Sequence, residues 1–303
     1  MSATMGTSES STMSGDGSAP DAATPLLDVR DLVVEYRRGG ETFRAVDQVS
    51  FSVPRGGCLA VVGESGCGKS TIAKALVRLV KPTAGAMVFD GTDLATVSER
   101  DLRPMRHRIQ MVFQDPYGSL DPHLTAQQIV AEPMQVRGER SSTVRKQRSA
   151  ELLDRVGLPT SALQRKPHEF SGGQRQRIGI ARALASEPDL LVLDEATSAL
   201  DVSVQAQVLD ILAQLRQDTG LTYLFISHNL GVVRAISEEV LVLRAGTVVE
   251  RGETEQVLAA PSDPYTRRLR RSALEPARMV GRKPREVVRG VAAARIAEST
   301  ASA

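Results

Sequence analysis

Several residue types are scarce in this sequence of 303 residues, and each scarcity bears on what the protein can be. Tryptophan is absent and aromatic residues make up 3% of the chain, which argues against stacked aromatic platforms for single-stranded nucleic acid. The two cysteines, Cys58 and Cys67, are too few for a disulfide framework, a cysteine-rich zinc site or an iron–sulfur cluster. So low a cysteine content is typical of a reducing compartment.

Long apolar runs are also lacking. No stretch approaches the roughly 18–20 apolar residues that span a bilayer. Residues 1–25 have neither a basic residue nor the apolar core of a signal peptide, and they are rich in small polar residues. We therefore predict a disordered leader over residues 1–25, with order beginning near Leu26. We expect a chain that is soluble by itself and that acts at a membrane only through partners.

The remaining composition is that of a globular protein. Hydrophobic residues make up 41% and charged residues 24%, which is enough apolar material for a sizeable core. At about 100–200 residues per domain, the length allows about two domains. The net charge of +2 is too small to indicate a nucleic-acid partner, and none is expected.

Apolar patterns along the chain indicate a parallel α/β core. Cys58–Val62 is a short apolar run that leads through a glycine-rich loop into a helical pattern, the start of a parallel α/β unit. Leu190–Leu193 and Leu221–Ile226 are apolar on both faces, as central parallel strands are. Residues 240–249 predict a hairpin at the edge, and the charged segment at about 96–180 predicts a helical insertion between core strands.

A phosphate-binding loop is predicted at residues 63–70, which satisfy the pattern G-x-x-x-x-G-K-[ST]. Glycines let backbone N–H groups turn toward phosphate oxygens, and the following helix directs its positive end at them. Lys69 then supplies a charge to the β- and γ-phosphates, and Ser70 a hydroxyl to Mg²⁺. The predicted nucleotide-binding residues here are Gly63, Glu64, Ser65, Gly66, Cys67, Gly68, Lys69, Ser70 and Thr71.

Two carboxylates follow the predicted strand at Leu190–Leu193, where ligands of open α/β sheets bind. Asp194 is suited to hold Mg²⁺, and Glu195 to polarise an attacking water. An acidic pair after a strand is often only the start of a loop, but the phosphate loop favours the functional interpretation.

A second helix start is suited to bind an anion. Ser171, Gly172, Gly173 and Gln174 precede a helical pattern over Arg175–Leu184, with Ser171 as the predicted N-cap. Alone, this segment could be a flexible linker. Together with the phosphate loop and the acidic pair it resembles the LSGGQ signature of the ABC-transporter ATPases, although Phe170 stands where leucine is commonest.

This resemblance covers about residues 27–270. It implies an α/β P-loop NTPase core of the RecA-like class, with an antiparallel β subdomain and an inserted helical subdomain, and it implies ATP and Mg²⁺ as cofactors. The predicted ATPase domain is 26–262, followed by a basic extension at 263–303. Residues 264–303 carry ten basic and three acidic residues, which predicts either a solvated tail or a contact with anionic lipid or a partner.

The resemblance also implies roles for further residues. Tyr36 matches the aromatic residue that stacks on adenine, and Asp201 lies in the loop that crosses the dimer interface. Gln114 matches the loop that senses Mg²⁺, and His228 matches the histidine that contacts the γ-phosphate. The signature residues Ser171–Gln174 act on the nucleotide of the other subunit. The predicted catalytic residues are Glu195, His228 and Gln114, and the predicted metal ligands are Ser70, Gln114 and Asp194.

Three segments narrow the resemblance to the oligopeptide/dipeptide importer ATPases: Gln114–Pro122, Phe170–Ile178 and Pro261–Arg267. This subfamily implies a second ATPase subunit, either a paralogue or an identical copy, and two integral membrane permease subunits. A permease coupling helix is expected near Asp115–Pro122. An extracytoplasmic solute-binding protein is an indirect partner, and the chain is expected at the cytoplasmic face of the cell membrane.

Other functions are left open by the sequence. Importers of nickel, glutathione or opines share this subfamily. A soluble, non-transport ABC ATPase would predict tandem ATPase units or a long coiled coil, and a silent regulatory subunit would predict degenerate catalytic motifs. Neither pattern is seen in the sequence.

Overall fold

The computed structural model describes residues 24–115, 118–198 and 200–274. The strands in chain order are β1 (Leu27–Arg38), β2 (Glu41–Val53), β3 (Cys58–Val62), β4 (Ala84–Phe89), β5 (Thr92–Asp93), β6 (Ile109–Val112), β7 (Leu190–Asp194), β8 (Thr222–Ser227), β9 (Glu239–Arg244) and β10 (Thr247–Glu253). The α-helices are α1 (Lys69–Leu76), α2 (Glu99–Leu102), α3 (Ala126–Val136), α4 (Ser142–Arg155), α5 (Gly172–Leu184), α6 (Val202–Thr219), α7 (Leu230–Ile236), α8 (Thr254–Ala259) and α9 (Pro264–Leu274).

An antiparallel sheet is formed by the first part of the chain, in the order β2-β1-β4-β5. Strands β1 and β2 form a hairpin whose turn, Gly39-Gly40, has positive φ at both glycines. The predicted first strand and turn are confirmed, but β2 begins ten residues before the apolar positions Phe51 and Val53 that predicted it. Its first four residues, Glu41–Arg44, are all exposed and only Phe43 among them is apolar, so they show no alternating apolar pattern.

The second sheet has the order β10-β9-β3-β8-β7-β6 and is parallel except for β10. Strands β3, β7 and β8 are buried along their whole length, which confirms the predicted central strands and explains their continuous apolar runs. The edge hairpin predicted at residues 240–249 is confirmed as β9–β10. The α/β fold class, with a separate antiparallel sheet and a helical segment, is confirmed.

Helices α3, α4 and α5 share one hydrophobic core with the second sheet, in which Ile129, Leu152 and Ile178 lie together with Leu193 and Phe225. The range predicted for the helical insertion, about 96–180, also contains the core strand β6. This strand is only four residues long and follows Arg106, His107 and Arg108 within a charged segment, and so short an apolar run carries little strand signal.

Helix α9 packs against the second sheet at the end of the described chain. Tyr265 is 2% exposed and shares a cluster with Val62, Leu230 and Val242. The segment that begins at 263 therefore starts with a helix that is part of the core. All but the last two positions of the predicted leader, and the tail after Leu274, lie outside the described residues. Within the described ranges, no helix is both long and apolar enough to cross a bilayer.

Candidate functional site

The glycine-rich loop between β3 and α1 is held tightly by its neighbours. A Cβ at Gly63 would lie 2.2 Å from the Leu243 carbonyl oxygen, and one at Gly68 would lie 2.4 Å from the Ala45 carbonyl oxygen. Gly68 also has a φ of 108°, which disfavours other residues. Both glycines are therefore required sterically, and the loop can approach a ligand with its backbone.

The Lys69 ammonium lies inside this loop. Its Nζ donates to the carbonyl oxygens of Gly63 and Glu64, each at 2.8 Å, and the side chain is 4% exposed. Two acceptors compensate the buried charge. The Cys67 Sγ is 3.8 Å from the same nitrogen, but burial raises the pKa of this thiol more than the ammonium lowers it. Cys67 is therefore a neutral thiol at neutral pH.

An oxygen-rich site lies where α1 faces the end of β7. The Ser70 hydroxyl donates to Asp194 Oδ1 at 2.9 Å, and Asp194 is 5% exposed. Burial raises the pKa of Asp194, partly offset by the Ser70 hydrogen bond. A buried carboxylate beside a hydroxyl is a donor set that a hard divalent cation prefers, and the cation charge would offset the desolvation of the carboxylate. The residues present therefore fit a divalent metal ion.

The predicted catalytic side chains converge on a single carboxylate oxygen. Glu195 Oε2 accepts a hydrogen bond from Gln114 Nε2 at 2.9 Å and lies 3.4 Å from His228 Nδ1. Glu195 has a φ of 47°, and its N–H donates to the Ile226 carbonyl on the neighbouring strand β8. The parallel strands β6, β7 and β8 end at the same sheet edge, which brings these three residues together although they are far apart in the sequence.

The Ser171 N-cap is confirmed and forms a capping box with Gln174. Gln174 N–H donates to Ser171 Oγ at 3.3 Å, and Ser171 N–H donates to Gln174 Oε1 at 3.0 Å. A Cβ at Gly173 would lie 2.1 Å from Val204 Cγ1, whereas the nearest atom to one at Gly172 is 3.9 Å away. Among the described residues, no hydrogen bond joins the Ser171 or Gln174 side chains to the phosphate loop.

Asp201 also caps a helix. Its Oδ1 accepts from the Val204 N–H at 3.0 Å and from the Ser203 hydroxyl at 2.8 Å at the start of α6. These two hydrogen bonds hold the pKa of Asp201 below its ordinary value. The loop before it is tied to the catalytic region, because Ser198 Oγ donates to the Glu195 carbonyl at 2.9 Å. Ala199 lies outside the described residues.

Tyr36 lies on β1 with 38% of its surface exposed, and β2 pairs Phe43 directly opposite it with 61% exposed. The sequence analysis did not identify Phe43. Opposed residues of an antiparallel pair share a face, so the two rings form one exposed aromatic surface. A hairpin centred on Gly39-Gly40 would have placed them opposite each other from the sequence.

The structure thus groups the predicted residues into three sets. The first set comprises the phosphate loop, Ser70 and Asp194. The second set comprises Gln114, Glu195 and His228, which lie next to Asp194. Ser65 is exposed and Thr71 half-buried beside them. The signature residues and Asp201 form a separate set at the starts of α5 and α6.

Comparison with known proteins gives consistent results. The family model described as "ABC transporter" matches residues 46–198. A putative peptide import ATP-binding protein of Brucella ovis is 48% identical over 267 residues, covering 88% of this chain and 84% of that protein. The oligopeptide transport ATP-binding protein AppF of Bacillus subtilis is 49% identical over 253 residues, covering 80% and 77%.

Solved structures show the same likeness. The dimeric post-hydrolysis state of the ATP-binding cassette MJ0796 bound to ADP and Pi has a TM-score of 0.70 and 30% identity, covering 76% of this chain and 99% of that chain. CbiO1 of Clostridium perfringens, part of the ABC transporter complex cbiONQ, has a TM-score of 0.70 and 28% identity, covering 78% and 91%.

Proposed function

The chain belongs to the ABC transporter family and is an ATPase of that family, and we propose that it powers the import of peptides. The peptides would cross the membrane through separate permease subunits. Relatives named for peptide and oligopeptide import support this substrate class. The chain acts at the cytoplasmic face of the cell membrane, where its permease partners expose their docking surfaces.

In this proposal, ATP binds with its phosphates against the loop of residues 63–68. Lys69 exchanges the carbonyl oxygens of Gly63 and Glu64 for β- and γ-phosphate oxygens, at little cost because both sets of acceptors lie at the same loop. Tyr36, extended by Phe43, offers a face for adenine to stack on.

Ser70 and Asp194 would hold Mg²⁺, and Gln114, which follows β6, would be a further ligand. When bound, Mg²⁺ neutralises charge that develops on the phosphate oxygens. Glu195 then takes up the proton of an attacking water. Gln114 and His228 hold its carboxylate at the edge of the sheet, and His228 contacts the γ-phosphate.

The convergence of Gln114 and His228 on Glu195 Oε2, next to the Ser70–Asp194 pair, is the observation that carries the proposal. This arrangement gives a positioned base and a metal site side by side. A carboxylate that merely begins a surface loop would not be expected to lie beside both a metal-binding pair and two converging polar side chains.

The nucleotide site is completed by a second ATPase subunit. Ser171–Gln174 and Asp201 of one subunit contact the nucleotide on the phosphate loop of the other. Among the described residues, the Ser171 and Gln174 side chains form hydrogen bonds with each other and not with the chain's own phosphate loop, which together with the dimeric MJ0796 cassettes supports this arrangement. The second subunit is either a paralogue or an identical copy.

The permease contacts a groove between the sheet and the helices. This groove has a volume of about 580 Å³ and exposes the apolar side chains of Leu79 (62%) and Val136 (78%) beside Arg103 and Arg106. Arg182, which also lines this groove, donates to the Ser119 carbonyl at 2.5 Å. A coupling helix in the groove would therefore be linked to the segment that follows Gln114.

The variant Glu195→Gln tests the catalytic assignment. Glutamine keeps the shape but cannot accept the proton, so ATP turnover should fall about 10²–10⁴-fold while ATP affinity changes little. Turnover is measured by phosphate release, and affinity by titration calorimetry. Glu255→Gln, which alters a surface ion pair with Arg234, is the matched control and should keep its turnover. Wild-type turnover in Glu195→Gln would show that another group is the base.

The same variant tests the substrate class in cells. Replacing the chromosomal copy with Glu195→Gln should abolish uptake of labelled di- and oligopeptides. If peptide uptake is unchanged while uptake of nickel, glutathione or an opine is lost, the chain is an importer ATPase for that solute instead.

A further inference from the structure

Helix α9 reaches the phosphate loop through one buried side chain. The Tyr265 hydroxyl accepts a hydrogen bond from the Glu64 N–H at 3.0 Å. Tyr265 is 2% exposed, and burial raises the pKa of its hydroxyl, so it is a neutral phenol. The guanidinium of Arg244 lies 5.3 Å from the centre of its ring, and that of Arg268 lies 6.0 Å from it. Packing and two cations therefore fix the ring in place.

The start of α9 is itself anchored to the sheet. Glu250 of β10 accepts hydrogen bonds from the Ser262 N–H and hydroxyl, each at 2.7 Å, and from the Asp263 N–H at 3.2 Å. Asp263 Oδ1 in turn accepts from the Tyr265 N–H at 2.6 Å. The backbone before Tyr265 is thus tied to β10, which leaves the hydroxyl little freedom to move away from the loop.

The Gly63–Glu64 peptide, whose N–H donates to Tyr265, also carries the Gly63 carbonyl that accepts from Lys69 Nζ at 2.8 Å. The Glu64 carbonyl accepts both from Lys69 Nζ at 2.8 Å and from the Cys67 N–H at 3.3 Å. The Cys67 carbonyl accepts from the Gly246 N–H at 3.0 Å, so the far side of the loop is also held. Among the described side chains of α9, Tyr265 alone forms a hydrogen bond to this loop.

We propose that Tyr265 is a positioning residue for the nucleotide: its hydroxyl fixes the Glu64 peptide, and through it the loop that receives the phosphates of a nucleoside di- or triphosphate. The inference rests on the proposed function of residues 63–70 as the nucleotide site. Helix α9 then contributes to nucleotide affinity from outside the loop, by keeping the loop in its binding conformation before the ligand arrives.

Tyr265→Phe tests this, because it removes the hydroxyl and keeps the ring. In the full chain, Kd for both Mg-ATP and Mg-ADP should rise about 3- to 10-fold, as expected for the loss of one hydrogen bond. In steady state, KM for ATP should rise by a similar factor with kcat within about twofold, since ground state and transition state lose the same positioning. The Glu64 amide should exchange its hydrogen faster, as followed by NMR.

Tyr223→Phe is the matched control. Tyr223 is also fully buried, and its hydroxyl donates to the Leu212 carbonyl at 2.9 Å, at the end of β8 away from the phosphate loop. Both Tyr→Phe variants should lower the melting temperature, because each loses one buried hydrogen bond, but Tyr223→Phe should leave Kd and KM for ATP unchanged. If Tyr223→Phe weakens ATP binding as much as Tyr265→Phe, the effect is a general loss of stability and the inference is wrong.

Lys69→Ala separates this inference from the assignment of the site. If Lys69→Ala weakens ATP binding and Tyr265→Phe leaves Kd unchanged, only the positioning role is overturned. If Lys69→Ala also leaves Kd unchanged, the site itself is wrong. Should Tyr265→Phe fold poorly, Glu250→Gln tests the same link one step away, and an unchanged Kd in that variant overturns the inference.

Discussion

The missing Cβ of Gly173 lets the start of α5 approach α6 closely. Val204 fills the space where that Cβ would lie, at 2.1 Å, whereas a Cβ at Gly172 would meet only ordinary van der Waals contact. The two adjacent glycines therefore have different structural roles. Packing requires glycine at position 173, whereas at position 172 packing would allow a larger residue and only a contact with a ligand would require glycine.

This difference predicts a difference in stability. Gly173→Ala should lower the free energy of unfolding by about 1–3 kcal/mol, because the methyl group forces Val204 or the helix to shift. Gly172→Ala should change it by less than about 0.5 kcal/mol. Urea denaturation of both variants measures this.

Combining Gly173→Ala with Val204→Ala supplies the control. Removing the opposing methyl groups should recover part of the lost stability, which appears as a favourable coupling in the double-mutant cycle. Equal losses in Gly172→Ala and Gly173→Ala, with no coupling to Val204, would mean that backbone conformation and not packing is decisive.

At the scale of elements, β10 holds α9 through a single carboxylate. Burial alone would raise the pKa of Glu250, but the Thr266 hydroxyl and the hydrogen bonds donated by Ser262 and Asp263 outweigh burial and hold that pKa below its ordinary value of 4.5. Because the folded-state pKa is the lower one, the ionised anchor stabilises the fold fully above pH 4.5, and this stability is lost as the pH falls through the folded-state pKa.

Glu250→Gln should therefore be less stable than the wild type at neutral pH, and the difference should narrow as the pH falls below 4.5. Urea midpoints measured across this range test the prediction. Glu253→Gln on the same strand, whose carboxylate accepts from the Gln256 side chain, is the matched control. A stability difference that is constant with pH would show that Glu250 acts through packing and not through its charge.

At the scale of the whole molecule, the proposed contact of one chain's signature residues with the nucleotide of another chain predicts how chains associate. Glu195→Gln with Mg-ATP should accumulate as a dimer in size-exclusion chromatography, with itself or with its paralogous ATPase, because bound ATP is not hydrolysed and bridges two chains. The wild type should show this dimer only transiently.

A second substitution identifies the bridging surface. Adding Ser171→Arg to Glu195→Gln should abolish the dimer while each chain still binds ATP, since among the described residues the Ser171 side chain forms its hydrogen bond at the start of α5 and not with the chain's own phosphate loop. A dimer that persists in the double variant would place the interface elsewhere and contradict the shared-site model.

The sequence by itself determined the central strands, the pattern of the phosphate loop and the Ser171 cap, whereas the predicted roles of Gln114 and His228 came from the resemblance to the ABC-transporter ATPases. It could do so because these features depend on local patterns: continuous apolar runs, glycines at fixed spacing, and a capping residue before a helix. The short strand β6 and the exposed start of β2 were not predicted, since a run of four residues and a set of exposed residues give little strand signal without the pairing to neighbouring strands.

Only the tertiary structure decided which residues meet. Gln114, Glu195 and His228 converge because three parallel strands end at one edge, and no spacing along the chain specifies the distance between their side chains. Phe43 joins Tyr36 through the register of a hairpin. Tyr265 reaches Glu64 because α9 folds back onto a loop two hundred positions earlier, and such long-range contacts are set by the packing of whole elements.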